Sequence, residues 1–197
     1  FSELSQAVRE LAARGAERNY LSLVPTQLHR LADAGSLAEL AVFDAVLIGG
    51  AALSKKLLTQ AAEAGVRIVR TYGMTETAGG CIYDGVPLRG VQMRIEPDGR
   101  IALAGPMLFE GAGDWWVTQD LGRINADGRL EVLGRADDVA ISGGVNIPLG
   151  AVEKVLAEVA SVDELAVVAK PDAEWGEAVT AYVVGELSRE QAVVALE

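Results

Sequence analysis

Apolar residues recur at helical spacing at the start of the chain. Leu4, Ala7, Val8, Leu11 and Ala12 fall on one face, and Gly15 can end that helix. Tyr20–Val24 breaks the period with a short apolar run closed by Pro25, the pattern of a buried strand. Gln27–Ala34 returns to helical spacing, and Val42–Ile48 is the next strand, closed by Gly49-Gly50. Ser54 can cap a helix whose apolar face carries Leu57, Leu58, Ala61 and Ala62 and which Gly65 can end. Val66–Val69 is the third strand. Strands that alternate with helices imply crossover connections and a parallel sheet, so the first 80 residues read as a βα layer.

The pattern changes after Gly79. Short apolar runs are separated by turn signals at Pro97-Asp98-Gly99, Gly105-Pro106 and Ala126-Asp127-Gly128. Val91–Ile95, Ile101–Ala104, Trp115–Thr118 and Leu130–Leu133 read as an antiparallel region over residues 81–136. It changes again from Val139. A Gly143-Gly144 turn precedes Pro148, which can sit in the first turn of a helix with Val152, Val155, Leu156 and Val159 on one face. Leu165–Ala169 and Val179–Val184 are strands, and Ser188 caps a last helix. The fold class is α/β: a parallel βα layer and a small antiparallel region in residues 1–136, then a smaller α+β domain over 137–197. The boundary falls near Asp137.

Composition narrows the function. The chain has 197 residues, half of them hydrophobic, enough for one core plus a satellite domain. No apolar run approaches the roughly 18 residues of a membrane span, so membrane insertion is not expected. The net charge of −11 and the lack of basic stripes argue against nucleic acid. A small anion can still be held by backbone N–H groups. Cys81 is the one cysteine, which excludes an internal disulfide and fits a reducing cytosol. The one histidine, His29, lies in a helical stretch and reads as a helix-face residue. Trp115, Trp116 and Trp175 read as core or interface anchors. The chain starts at Phe1 without a signal-peptide pattern, and it reads as part of a longer protein.

Candidate chemistry concentrates in Arg70-Thr71-Tyr72-Gly73-Met74-Thr75-Glu76-Thr77. The octet follows a strand, at the sheet edge where open α/β folds bind ligands. Gly73 permits close backbone approach, Thr75 and Thr77 offer hydroxyls to a phosphate, and Glu76 offers a hard oxygen to Mg²⁺. Tyr72 offers a flat face to a nucleobase. A Thr-rich turn capping a helix, with Glu76 as a surface carboxylate, accounts for the same residues.

This octet resembles the Tyr-Gly-x-Thr-Glu signature of the adenylate-forming superfamily of acyl-CoA synthetases, peptide-synthetase adenylation domains and luciferases. Leu23-Val24-Pro25-Thr26-Gln27-Leu28 is similar to its Val-Pro-Thr segment, and Val46–Leu53 to its strand-to-Gly-Gly-Ala loop. Trp116–Gly122 resembles its Thr-Gly-Asp segment. Gly134-Arg135-Ala136-Asp137-Asp138 and Ser142–Ile147 resemble the interdomain hinge and the loop after it. Five segments in the same order cover nearly the whole chain.

The resemblance implies an ATP-dependent ligase that converts a carboxylic acid to acyl-AMP and passes it to coenzyme A, with Mg²⁺ as cofactor. Residues 1–136 would be the distal part of the large domain, and 137–197 an incomplete mobile domain. Gly49, Gly50 and Ala51 would line the adenine and acyl pocket, with Tyr72 stacking on adenine beside Gly73. Thr75 would hold the α-phosphate, Glu76 the metal, and Asp120 and Arg135 the ribose side. Asp137 would be the hinge, and Ser142, Gly143 and Gly144 would approach coenzyme A. A turn carboxylate at Asp120, an exposed Arg135–Asp137 ion pair and an ordinary Gly-Gly turn are the plainer readings.

The short Gly79–Leu88 connection resembles that of the o-succinylbenzoate–CoA ligases of menaquinone biosynthesis, which implies that acid. Another aryl- or fatty acyl-CoA ligase, or a non-catalytic nucleotide-binding fragment, is the alternative. Cytoplasmic location is implied, and a homodimer is left open. Four departures stand out. No Ser/Thr/Gly-rich phosphate loop with its Lys is present, and neither Lys154 nor Lys170 has the Gly-Lys context of the family's catalytic Lys. Gln119 replaces the usual Gly before Asp120, and Phe109–Asp114 is short for the family. These 197 residues alone are therefore expected to be inactive.

Overall fold

The computed structural model describes residues 6–8, 10, 18–50, 53–159 and 162–196. Most of the expected first helix lies outside them; residues 6–8 and 10 are helical and Val8 is buried. The chain divides into two compact units, Phe1–Gly85 and Val86–Glu197.

In the first unit, Tyr20–Leu23 forms β1 and Pro25–Asp33 forms α1. Pro25 does more than end the strand. It occupies the first turn of α1, where its missing N–H costs nothing, and the Gln27 side chain accepts the Val24 N–H at 3.0 Å. Ala45–Ile48 forms β2. It starts later than its apolar pattern predicts, because Leu37–Val42 is a 3₁₀ helix that buries Leu37 and Leu40, three residues apart on one side. Lys55–Glu63 forms α2, and the Ser54 hydroxyl accepts the Leu57 N–H as predicted, a cap worth about 1 kcal/mol. Leu57 and Ala61 face the core, but Ala62 is exposed.

Ile68–Met74 forms β3 and Gly79–Tyr83 forms β4. β1, β2 and β3 are parallel neighbours, as the alternation of strands and helices requires. β3 then pairs antiparallel with β4, so the segment read as a connection after Gly79 is itself a strand. Leu28, Leu40, Val46, Ile48 and Ala61, all nearly fully buried, fill the core under this sheet.

The second unit opens with the two-residue strand β5, Val86–Pro87. Gln92–Ile95 (β6), Arg100–Ala104 (β7), Trp116–Ile124 (β8) and Leu130–Arg135 (β9) form an antiparallel sheet in that order. β8 runs six residues beyond its predicted end at Thr118. Gln119 is exposed in the middle of that strand, and its carbonyl accepts the Ala136 N–H at 2.7 Å. No glycine-only conformation is needed there, which explains how Gln stands where the family has Gly.

Val139–Ser142 (β10) and Val145–Pro148 (β11) form a hairpin across Gly143 and Gly144, whose φ angles of 56° and 81° suit a tight two-residue turn. Leu149–Leu156 is α3, Val162–Asp172 is β12, Gly176–Gly185 is β13 and Arg189–Leu196 is α4. These strands form a sheet in the order β11-β10-β13-β12. Ala140, Leu149, Leu156 and Val167 make its core, with Val152 packed against them, whereas Val155 is exposed at 37%. Ser188 and Gln191 cap α4 reciprocally, at 3.1 and 2.9 Å. Among the described residues no helix is long and apolar enough to cross a membrane.

α3 packs against β9 at unusually short range. A Cβ on Gly150 would lie 2.9 Å from the Gly134 Cα and 3.3 Å from the Leu133 carbonyl oxygen. Lys154, one turn on, reaches Glu131 of β9 at 3.8 Å. Gly150→Val must push the helix off the strand, a cost of about 1–3 kcal/mol. Its melting midpoint should fall by several degrees, and an unchanged midpoint in calorimetry would contradict this packing.

Candidate functional site

The parallel pairing puts the carboxyl ends of β2 and β3 on one sheet edge, the place where open α/β sheets hold ligands. Gly49 and Gly50 follow β2 directly. Gly49 lies so close to β3 that an added Cβ would sit 2.5 Å from the Thr71 Oγ1, and that hydroxyl donates to the Ile48 carbonyl at 3.3 Å. Ala51 lies outside the described residues. Tyr72 is half-buried on β3, opposite Ile82 of β4. Gly49, Gly50 and the Tyr72–Glu76 segment are thus brought to the same edge.

Gly73 is explained within the fold. A Cβ there would collide with the Gly79 carbonyl, because a bulge after Tyr72 draws the two strands together and leaves Cys81 as the extra residue. Thr75–Thr77 is a single 3₁₀ turn, with Thr75 exposed and Glu76 half-buried. Neither the Thr75 hydroxyl nor the Glu76 carboxylate has a hydrogen-bond or ion-pair partner among the described residues. Thr77 differs from its reading as a phosphate donor. It is buried, and its hydroxyl bonds Met74 and Gly79 inside the turn. Motif spacing alone does not distinguish the outward Thr75 from the inward Thr77.

The second unit gathers Asp120, Arg135 and Asp137. Asp120 and Arg135 are direct cross-strand partners on β8 and β9, and a guanidinium nitrogen of Arg135 lies 3.7 Å from the Asp120 carboxylate. The other guanidinium nitrogens bind Asp137 bidentately, both at 2.7 Å. That hydrogen bond holds the Asp137 carboxyl below the usual carboxylate range and pushes the Arg135 pKa further up. Thr118, which was not singled out from sequence, is buried and accepts the Asp120 N–H at 3.0 Å, fixing the backbone of that strand.

Ser142, Gly143 and Gly144 form the β10–β11 turn. The Gly143 N–H donates to the Trp175 carbonyl at 2.9 Å, and a Cβ on Gly143 would meet the indole at 2.8 Å. Trp175 is 53% exposed, so it anchors this turn rather than a core. Trp115 packs under the Arg94 guanidinium, and Trp116 meets Phe109 edge to face. Among the described residues no three His, Cys, Asp or Glu side chains cluster as a metal cage. A lone outward carboxylate such as Glu76 still suits Mg²⁺, which keeps several waters and takes one or two carboxylates with substrate phosphates.

The chain is similar to known AMP-binding enzymes. Residues 12–111 match the AMP-binding enzyme family and residues 151–196 match the AMP-binding enzyme C-terminal domain. A probable 2-succinylbenzoate–CoA ligase of Mycobacterium tuberculosis is 42% identical over 93% of this chain and 51% of its own length. The 2-succinylbenzoate–CoA ligase of Lactococcus lactis is 34% identical over 88% and 43%. Among solved structures, Bacillus subtilis MenE, an o-succinylbenzoate CoA synthetase in complex with the acyl-adenylate OSB-AMP, superposes with a TM-score of 0.73 at 28% identity. That match covers 98% of this chain and 46% of that one. The amide bond synthetase McbA of Marinactinospora thermotolerans superposes at 0.80 and 27% identity, over 98% and 48%. The chain spans about half the length of the curated relatives it matches.

The Arg135–Asp137 pair makes a pH prediction. A carboxyl depressed in the folded state contributes stability above its unfolded pKa and loses it as pH falls through the folded value. In Arg135→Ala, carboxyl NMR should show Asp137 titrating at higher pH than in the unmodified protein, near the ordinary carboxylate value. An unmoved titration would mean that Arg135 is not the cause.

Proposed function

Since this chain belongs to the AMP-binding enzyme family, we propose that it carries the nucleotide-facing part of an AMP-forming acid–thiol ligase. The proposed acid is o-succinylbenzoate, which places the enzyme in menaquinone biosynthesis in the cytoplasm. The carboxylate attacks the α-phosphorus of ATP to give acyl-AMP and pyrophosphate. The thiol of coenzyme A then displaces AMP and leaves the thioester. The observation that carries the reading is the turn that presents Thr75 and Glu76 without a hydrogen-bond or ion-pair partner among the described residues, at the sheet edge formed by Gly49, Gly50 and Tyr72.

On this reading Gly49 and Gly50 line the adenine and acyl pocket with backbone, and Tyr72 stacks on adenine beside Gly73. Thr75 donates its hydroxyl to the α-phosphate. Asp120 accepts from the ribose hydroxyls, a task suited to a carboxylate, and Arg135 supports the ribose side. Glu76 would hold Mg²⁺, whose chemistry is to neutralise phosphate charge. Asp137 is the hinge between residues 1–136 and 137–197, and the compact unit of residues 86–197 is then one of two arrangements. The Ser142–Gly144 turn approaches coenzyme A in the other. The relatives' names support the acid, whereas the likeness to an amide bond synthetase favours testing other acids and acceptors as well.

Two outcomes test the reading in a full-length enzyme that carries this sequence. Glu76→Gln keeps one oxygen but loses the charge that a hard cation prefers. It should slow pyrophosphate release by at least about tenfold, ~1.4 kcal/mol in barrier, most strongly at limiting Mg²⁺. An unchanged rate there would remove the metal role. In a panel of succinyl-aryl, aryl and fatty acids, o-succinylbenzoate should have the highest kcat/KM. Preference for a fatty acid by about tenfold or more would replace the acid and keep the ligase reading.

A further inference from the structure

We propose that Thr77 is the positioning residue of the Thr75–Glu76 turn, its buried hydroxyl setting the direction in which those two side chains are presented. The inference rests on the nucleotide-site reading above. At 2% exposure the Thr77 hydroxyl cannot be a ligand group. Its oxygen accepts the Met74 N–H at 2.9 Å and lies 2.7 Å from the Gly79 carbonyl oxygen and 3.1 Å from that of Met74. One hydroxyl proton serves one carbonyl well, and the shorter contact, to Gly79, takes it. The last residue of β3 and the first of β4 are thereby tied through a single side-chain oxygen, with Thr75 and Glu76 displayed between the two attachment points.

Besides the short pairing of Gly73 with Gly80 and of Met74 with Gly79, the backbone around this oxygen is lightly held. Ala78 sits at φ 52°, a left-handed conformation that a side chain disfavours. Gly73 and Gly79 are in backbone contact that admits no Cβ. The register shifts between Tyr72 and Gly73, so ladder hydrogen bonds are interrupted beside the turn. Within the turn the Ala78 N–H donates to the Thr75 carbonyl at 3.0 Å. Valine matches threonine in shape but removes the oxygen that accepts the Met74 N–H and binds the Gly79 carbonyl. The turn must then open to water, and Thr75 and Glu76 move with it.

The test uses Thr77→Val, Thr77→Ala and Thr77→Ser in a full-length enzyme carrying this sequence, with Glu76→Gln as reference. Pyrophosphate release is titrated with MgCl₂ and ATP, and amide hydrogen exchange is followed over residues 74–79. Thr77→Val should lower kcat at least tenfold and raise the half-saturating MgCl₂ several-fold, with KM for the acid unchanged and the Met74 amide deprotected. Thr77→Ala, which relieves any crowding, should behave alike, and Thr77→Ser should return the rate to within about threefold. A merely structural residue would lower Tm and the folded fraction without moving the MgCl₂ requirement. Unchanged MgCl₂ half-saturation, or an unchanged Met74 amide, in Thr77→Val and Thr77→Ala overturns the proposal. A slow Glu76→Gln beside a normal Thr77→Val overturns only this inference, whereas a normal Glu76→Gln overturns the site reading and this inference with it.

Discussion

β3 pairs parallel with β2 on one side and antiparallel with β4 on the other, and the rest of the site depends on that double commitment. A strand whose two edges are both occupied has little freedom to slide, because a one-residue slip would exchange its faces. Its parallel edge aligns its carboxyl end with Gly49 and Gly50, and its antiparallel edge forces the chain to turn back within four residues of Met74. The 3₁₀ turn that carries Thr75 and Glu76 makes that reversal between Met74 and Gly79. The bulge opposite Tyr72 then bends the pair, as bulges beside binding sites commonly do, and sets Tyr72 and the turn at different angles to the sheet.

The parallel layer was legible in the sequence because each strand is a short, mostly apolar run ended by a Gly, Pro or polar segment, while each helix has an apolar stripe. Val46 and Ile48 are buried and Leu47 partly so, as a strand covered on both faces demands. The ends were less legible. Arg70, Thr71 and Tyr72 are not apolar enough to extend a strand by pattern; Arg70 joins β3 by pairing with Ile48 of β2, and Thr71 and Tyr72 by pairing with β4, a Gly-rich segment with weak strand preference. Likewise Gln119, Asp120 and Gly122 continue β8 through pairing with β9. Leu37–Val42 shows the reverse, an apolar run taken into a 3₁₀ helix because Leu37 and Leu40 both reach the core. Of the candidate site, the positions of Gly49, Gly50, Tyr72, Thr75 and Glu76 were legible from the motif order, while the inward turn of Thr77 depends on burial that no spacing reports.

Electrostatics in the second unit follows the same division between support and display. The chain is strongly acidic, so an isolated carboxylate on β8 gains little from its surroundings at long range. Arg135 changes that locally. Its planar fork is filled by Asp137, while one nitrogen stays near Asp120 at a distance longer than a hydrogen bond. Asp120 thus lies beside a guanidinium whose fork is held elsewhere, and the buried Thr118 hydroxyl accepts its N–H and steadies the strand. The exposed Arg135–Asp137 pair adds little to stability by itself. Its consequence is orientation, because a guanidinium bound at two points cannot swing freely.

The Tyr72–Thr77 segment also explains why such a short signature can be specific. Its residues belong to two groups that interleave along the chain. Gly73 and Thr77 answer to the fold: one admits the neighbouring backbone and the other ties the turn. Thr75 and Glu76 have no hydrogen-bond or ion-pair partner among the described residues, so no polar interaction within them selects a hydroxyl and a carboxylate at those positions. A turn shaped only by folding would tolerate most polar residues at both, since an exposed side chain in a single 3₁₀ turn contributes little to stability. Had chemistry alone been the constraint, Gly73 and Thr77 would be free to vary. On the proposed reading, the two demands coincide in six consecutive residues because the strand reverses where the sheet edge would meet the ligand. Functional side chains at such an edge can be no better placed than the buried residues that hold the reversal.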